Sequence, residues 1–326
     1  MRGVGRKMGD SMHGLYRAYR RLFTVPVIFL CLFFYPDQAM AEPDAIIYEN
    51  SITLDEEEDK LLMPSFVMID QKMNELYVVD GRNRVMIYSQ DLFPLHMMNS
   101  ESGIESPHGL ALDDEGYLYV AQSSSNGDSR HRISVFKPCL RKDRDIYIQG
   151  FEGAENFFPY RLAVDKNGNI FVSSSHYKGV LILNNEGILI DTLSPAEQGQ
   201  NVTLTNVTID NAGRIYLVSE DAGRVYIYDK NRTMIAIFGE KGGSSGKLSR
   251  PKSVAIDSNN GKMFVVDYMR HTITVYSSSG SYLHEFGGLG LGAGWFQNPI
   301  DAAMDNEGRL FVADYFNHRV EIFKTR

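Results

Sequence analysis

One pattern is written six times along this chain: an apolar stretch ending in Asp, a tight turn, an apolar strand, a polar turn and another strand. The six aspartates are Asp70, Asp113, Asp165, Asp210, Asp257 and Asp305, spaced by 43, 52, 45, 47 and 48 residues, a mean of 47. Units repeating at that length bury their apolar faces on one another, so the repeat constrains the fold more than any other feature. The segments are rich in Val, Ile, Tyr and Phe and are separated by Asp-Glu-Gly, Asn-Gly or Asn-Glu-Gly turns, the residue types of short strands and tight hairpins. No window sustains a 3.6-residue period, which excludes a helical solenoid. A fourth, less regular strand follows in some units, as at residues 234–239 and 282–287.

Four antiparallel strands in a unit of about 45 residues is the pattern of a β-propeller blade. The runs at residues 250–276 and 298–323, and the glycine-rich linker at 286–299 between them, resemble NHL repeats. The resemblance covers roughly Met63 to Arg326. It is strongest in units one, five and six, and unit four has Leu204 where the others begin with Pro. It implies an all-β, six-bladed β-propeller of four-stranded antiparallel blades over residues 63–326. The sixth unit ends at Phe323 with no fourth strand after it, which leaves an open sheet edge. The orphan strand from Ala45 to Leu54 is expected to fill that place, so residues 42–62 are read as a closing strand and an acidic connection. The run Asp55 to Asp59 is expected to be solvated, since it lacks the spaced ligands and turn glycine of a calcium loop.

Ahead of the repeats, residues 1–21 carry six basic residues against Asp10, followed by the apolar run Leu22 to Tyr35 and then Ala39-Met40-Ala41. Basic flank, short apolar run and small-residue site read as a signal peptide over residues 1–41. The run is too short for a bilayer, which takes about 20 residues. The expected product is exported, periplasmic or secreted, with no transmembrane segment after cleavage. Arg20-Arg21 is read as part of a basic flank and Cys31 as no lipid anchor. Removing residues 1–41 removes six basic and two acidic residues, so 33 and 41 become 27 and 39, a net charge of −12. Cys139 is then the sole cysteine, so no disulfide forms within the chain. The acidic balance argues against nucleic acid. The basic cluster Arg130 to Arg144 is read as a solvated blade surface.

Most repeated residues are read as structural. The Asp closing each first strand accepts hydrogen bonds from its own turn. Asp80, Asp267 and Asp314, with Arg84, Arg224 and Arg319, are read as hairpin locks. The glycine-rich stretch at 242–248 lacks the first glycine and the hydroxyl of a phosphate loop. Function is expected where the repeats differ. Antiparallel geometry puts the start of each first strand and the turn between second and third strands on one face. His108, Arg161, Asn206, Lys252 and Asp301 stand at those strand starts. Tyr177, Tyr268, Tyr315 and Phe316 stand in those turns as aromatic anchors for a partner. The turn from Ser123 to Ser129 reads as an inserted flap on the same face.

The primary expectation is a non-enzymatic scaffold, a monomer, binding a protein, peptide or glycan through this face without a metal or cofactor. The alternative is a lyase or hydrolase at the channel mouth. Propellers that resemble this chain include a lyase with a histidine-bound metal, yet His108 is the sole His at a strand start. A calcium-dependent lactonase would place a Glu beside Asn206 and Asp301, and none stands there. No nucleophile-elbow motif is present.

Overall fold

The structure, a computed structural model, describes residues 45–55, 57, 59–124, 130–197 and 199–325. The segment read as a signal peptide and residues 125–129 of the inserted turn lie outside the described residues. Six four-stranded antiparallel sheets form the blades of a propeller ring. Blade one comprises Phe66–Asp70, Glu75–Asp80, Arg84–Tyr88 and Pro94–Met98, innermost to outermost. The next four blades repeat this order in sequence, with innermost strands Pro107–Leu112, Leu162–Val164, Asn206–Ile209 and Pro251–Ile256.

Blade six closes the ring. Its strands Pro299–Met304, Arg309–Asp314 and Arg319–Thr325 take Ile46–Ile52, from the other end of the repeat region, as their outer partner. Ile46 pairs with Thr325 and Ile52 with Val320, and the Tyr48 ring packs edge-on against Phe323. The sheet edge left by the sixth unit is thereby covered.

The strand chemistry follows from position in the blade. Second and third strands face a neighbouring blade on both sides, so Leu118–Gln122 and Arg132–Phe136 are buried at every residue. Outer strands such as Leu189–Leu193 keep exposed middles. The buried residues divide into six apolar layers, one between each pair of neighbouring blades. The layer joining blades six and one contains Phe311, Ala313 and Val320 with Val67, Val78 and Met86, and Ile52 of the closing strand packs into it.

Polar residues fix the turns. Asp113 Oδ1 accepts from the backbone of Glu115 and Tyr117, each at 2.9 Å, and Asp70, Asp165, Asp210, Asp257 and Asp305 serve their own turns likewise. Asp80 pairs with Arg84 at 3.1 Å and Asp314 with Arg319 at 2.9 Å. Asp267 accepts from Arg270 N of its own hairpin at 3.3 Å and also caps the backbone of Ser249 and Arg250 in the preceding loop. Arg224 faces Ser219 across its hairpin and so reaches Glu197 instead. Asp55 departs from the expected solvated connection. It is buried, accepts from the backbone of Glu57 and Asp59, and pairs with Arg84 at 2.8 Å. Burial pushes its carboxyl up, but the Arg84 hydrogen bond and the two backbone donors outweigh this and hold it below its ordinary value.

Candidate functional site

The strand starts converge on one end of the channel. Arg161, in blade three, crosses this end. Its guanidinium donates to the carbonyl oxygen of His108 in blade two and, at 2.7 Å, to that of Ser65 in blade one. It lies over the rings of Phe66 and Tyr160, at 4.8 and 4.4 Å, so cation–π attraction adds to the hydrogen bonds. Gly109 makes room for it, since a side-chain carbon there would sit 2.7 Å from the Tyr160 carbonyl oxygen and 3.1 Å from Arg161 Cα. Asp301, from blade six, accepts from Val67 N at 3.1 Å. Burial pushes the Asp301 carboxyl up and the nearby Arg161 charge opposes the shift. Arg161, Asn206, Ser253 and Asp301 are all buried, Arg161 to 3 % exposure. This polar ring closes the strand-start end of the channel.

Among the five strand-start residues, Arg161, Asn206 and Asp301 meet in the throat, while His108 and Lys252 lie outside it. Lys252 pairs with Glu220 at 2.5 Å and lies 5.2 Å from the Tyr268 ring. His108 Nε2 is 2.9 Å from Ser123 Oγ, which donates to Ser106 Oγ at 2.9 Å. Burial, then the charges of Arg161 and His131, pull the His108 pKa down to about 4, so the ring is neutral at physiological pH. Phe158 collects three imidazoles around it, His108 at 4.8 Å, His131 at 5.2 Å and His176 at 6.4 Å. The sequence pattern gives no sign of that cluster, because its members come from the strand Pro107–Leu112 and three separate loops.

The loop aromatics divide in two. Tyr177 packs against Phe151 and Phe157 between blades. Tyr268 is half-buried beside Lys252. Tyr315 stacks edge-on with Phe316, which is exposed. Beside Phe316 lies the glycine-rich loop of residues 287–298. Its Leu289, Leu291 and Trp295 are 65 %, 76 % and 52 % exposed. Arg319 holds the loop through the carbonyl oxygens of Leu291, Gly292 and Trp295, and Asn317 holds Gly290 O at 2.9 Å. Phe316 N donates to Gln297 O at 3.1 Å. The result is a pinned loop presenting large apolar side chains to solvent. Beneath it, Glu321 accepts from Gly294 N and pairs with Arg319 at 2.9 Å. Burial lifts the Glu321 pKa to about 7, against the pull of Arg319. Reasoning from the repeats passed over this loop as a spacer, although the chain's one tryptophan stands in it.

The NHL repeat family model matches residues 296–323, from the end of that loop through the third strand of blade six. The chain is a six-bladed propeller carrying an NHL repeat. Solved structures similar to this propeller include an auxiliary nutrient binding protein from Bacteroides ovatus, 14 % identical with a TM-score of 0.65, covering 87 % of this chain and 77 % of that one. Another auxiliary nutrient binding protein, from Bacteroides thetaiotaomicron, is 12 % identical with a TM-score of 0.62, over 86 % and 77 %. Virginiamycin B lyase from Staphylococcus aureus is 9 % identical with a TM-score of 0.60, over 86 % and 99 %. At such identities the likeness is one of fold, and it spans both binding proteins and a lyase. A search of the curated proteins found no match. Among the described residues, no helix is long and apolar enough to cross a membrane.

Proposed function

We propose that this NHL propeller is an exported, monomeric binding scaffold, and that it holds its partner on the strand-start face. The observation that carries the proposal is the pinned loop, where Leu289, Leu291 and Trp295 stand exposed beside Phe316. Large apolar side chains grouped in this way mark interaction surfaces, and aromatic anchors supply much of the binding energy in such surfaces. A pinned loop loses little freedom on binding, which favours affinity. Tyr268, Tyr315 and Lys252 would form the polar rim. The two exposed leucines favour a protein or peptide over a glycan. The polar groups Arg161 and Lys252 are engaged by internal partners, which supports a scaffold over a channel-mouth enzyme. The basic flank, apolar run and small-residue site of residues 1–41 support export.

The test uses Trp295 as its own reporter, since no second tryptophan contributes. A partner is captured from the host envelope with the chain beginning at Glu42, then titrated against it. The expected result is a saturable blue shift of Trp295 emission, with binding weakened at least tenfold in Leu291→Ser and Phe316→Ser. A partner that binds both variants as tightly as the wild type would overturn the assignment of this face. Turnover of a captured small molecule, lost on His108→Ala, would favour the enzyme instead.

A further inference from the structure

The innermost strands enclose a cavity of about 360 Å³, within the roughly 300–1,000 Å³ range of small-molecule sites. It runs from the polar throat toward the opposite face, where its wall reaches the first hairpin turns at Asp70, Asp113, Asp114 and Asp210. Between throat and turns the wall exposes polar and apolar surface in nearly equal parts, with Ile69, Leu112, Ile209 and Met304 standing beside Thr208 and the inner edges of the innermost strands. Because Arg161 and its buried neighbours fill the throat, the channel is a blind pit open on the face opposite the exposed loop.

One polar group at the blind end lacks a partner. Asn206 lines the cavity and is 4 % exposed. Thr208 Oγ1 donates to its Oδ1 at 3.3 Å, which orients the amide. Its Nδ2 donates to no acceptor among the described residues. The amide donor is open to the cavity, so an incoming acceptor adds one neutral hydrogen bond there. At the open end Asp70, Asp113, Asp114 and Asp210 stand with Lys72, while Arg214 pairs with Asp210 at 2.7 Å and Lys166 donates to Asn211 O, so the rim carries both signs of charge.

We propose that the channel is a second binding site, for a small, neutral molecule of mixed polarity whose leading end carries a carbonyl-type acceptor for Asn206 Nδ2. The apolar side chains of the wall receive the ligand's apolar parts by excluding water from them. Asn206 sets the orientation, and the rim of mixed charge offers no single-sign field to draw in an ion. This site is separate from the strand-start face and stands or falls independently of it.

The probe is 6-propionyl-2-(dimethylamino)naphthalene, a neutral fluorophore with one ketone, titrated into the chain beginning at Glu42. The expected result is saturable one-to-one binding with blue-shifted emission. Asn206→Leu keeps the volume and removes the donor, and is expected to weaken binding roughly threefold to tenfold, the worth of one neutral hydrogen bond. Ala303→Phe fills the channel and is expected to abolish binding, with a melting curve to show that the variant is folded. Leu291→Ser is expected to leave binding unchanged. No saturable binding to the wild type overturns the proposal. So does binding that survives Asn206→Leu undiminished, or that is lost in Leu291→Ser.

Discussion

Arg161 Nη2 donates to the carbonyl oxygen of Ser65 at 2.7 Å, tying blade three to blade one across the channel. The two residues are 96 positions apart, and the bond makes the throat a structural keystone as well as a stopper. Arg161→Leu is expected to cost about 3 kcal/mol, as for loss of one partner in a buried charged network. Chemical denaturation checks this. Asp301 then loses the nearby charge that opposes its upward shift. A carboxyl raised in the folded state contributes stability that is full below its unfolded value and lost as pH rises through the folded one. Arg161→Leu should therefore lose more at pH 7 than at pH 4, and adding Asp301→Asn should remove that extra loss. A single variant as stable as the wild type would refute the keystone role.

The closing strand supplies a second expectation. Removing residues through Leu54 uncovers Arg319–Thr325 and withdraws Ile52 from the layer between blades six and one. Burial of one such side chain is worth about 1.5–3 kcal/mol, and the freed edge invites pairing with another copy. We expect a lower melting temperature and a dimer visible in light scattering. Asp55→Asn tests the adjoining latch. The Asp55 carboxyl is held low in the folded state, so its contribution is present above the unfolded value and lost as pH falls through the folded one. The variant should be less stable than the wild type at pH 7 and match it more closely near pH 3. A constant difference over that range would argue against the latch.

Glu321 gives the third expectation, with the opposite sign. Its folded pKa is raised from 4.5 to about 7. Its contribution is full below pH 4.5 and declines as pH rises through about 7, a change of up to about 3 kcal/mol. Glu321→Gln should gain on the wild type between pH 5 and pH 8. Because Glu321 holds Gly294 N next to Trp295, wild-type Trp295 emission should also titrate near pH 7, and that of Glu321→Gln should not. Flat emission in both proteins would show that Glu321 is uncoupled from the loop.

Particular residues show how far the repeats carry the reading. The spacing of Asp70, Asp113, Asp165, Asp210, Asp257 and Asp305 is local information, since each serves a turn within a few residues of itself. The blades, their number and the need for a closing strand follow from it. Gly109 reads locally as a turn residue, and its reason lies in Arg161, a neighbour only in space. Asp55 reads as one acid in a solvated run, and Arg84 and Arg82, neighbours only in space, make it a buried latch. Arg224 reads as a partner for its own hairpin, yet the register sets it opposite Ser219 and sends it to Glu197.

By itself the sequence determined the all-β class, the six four-stranded units and the residue types that face inward, because alternation, turn chemistry and repeat length act between near neighbours. Only the tertiary structure decided that the strand-start end of the channel is plugged, that the cavity opens on the opposite face, and that Trp295 stands exposed on a pinned loop. The pinned loop depends on Asn317 and Arg319 of the hairpin beside it, and the plug and cavity on which side chains from different blades meet around the ring axis. Residues of six blades converge there across sequence separations that no local pattern records.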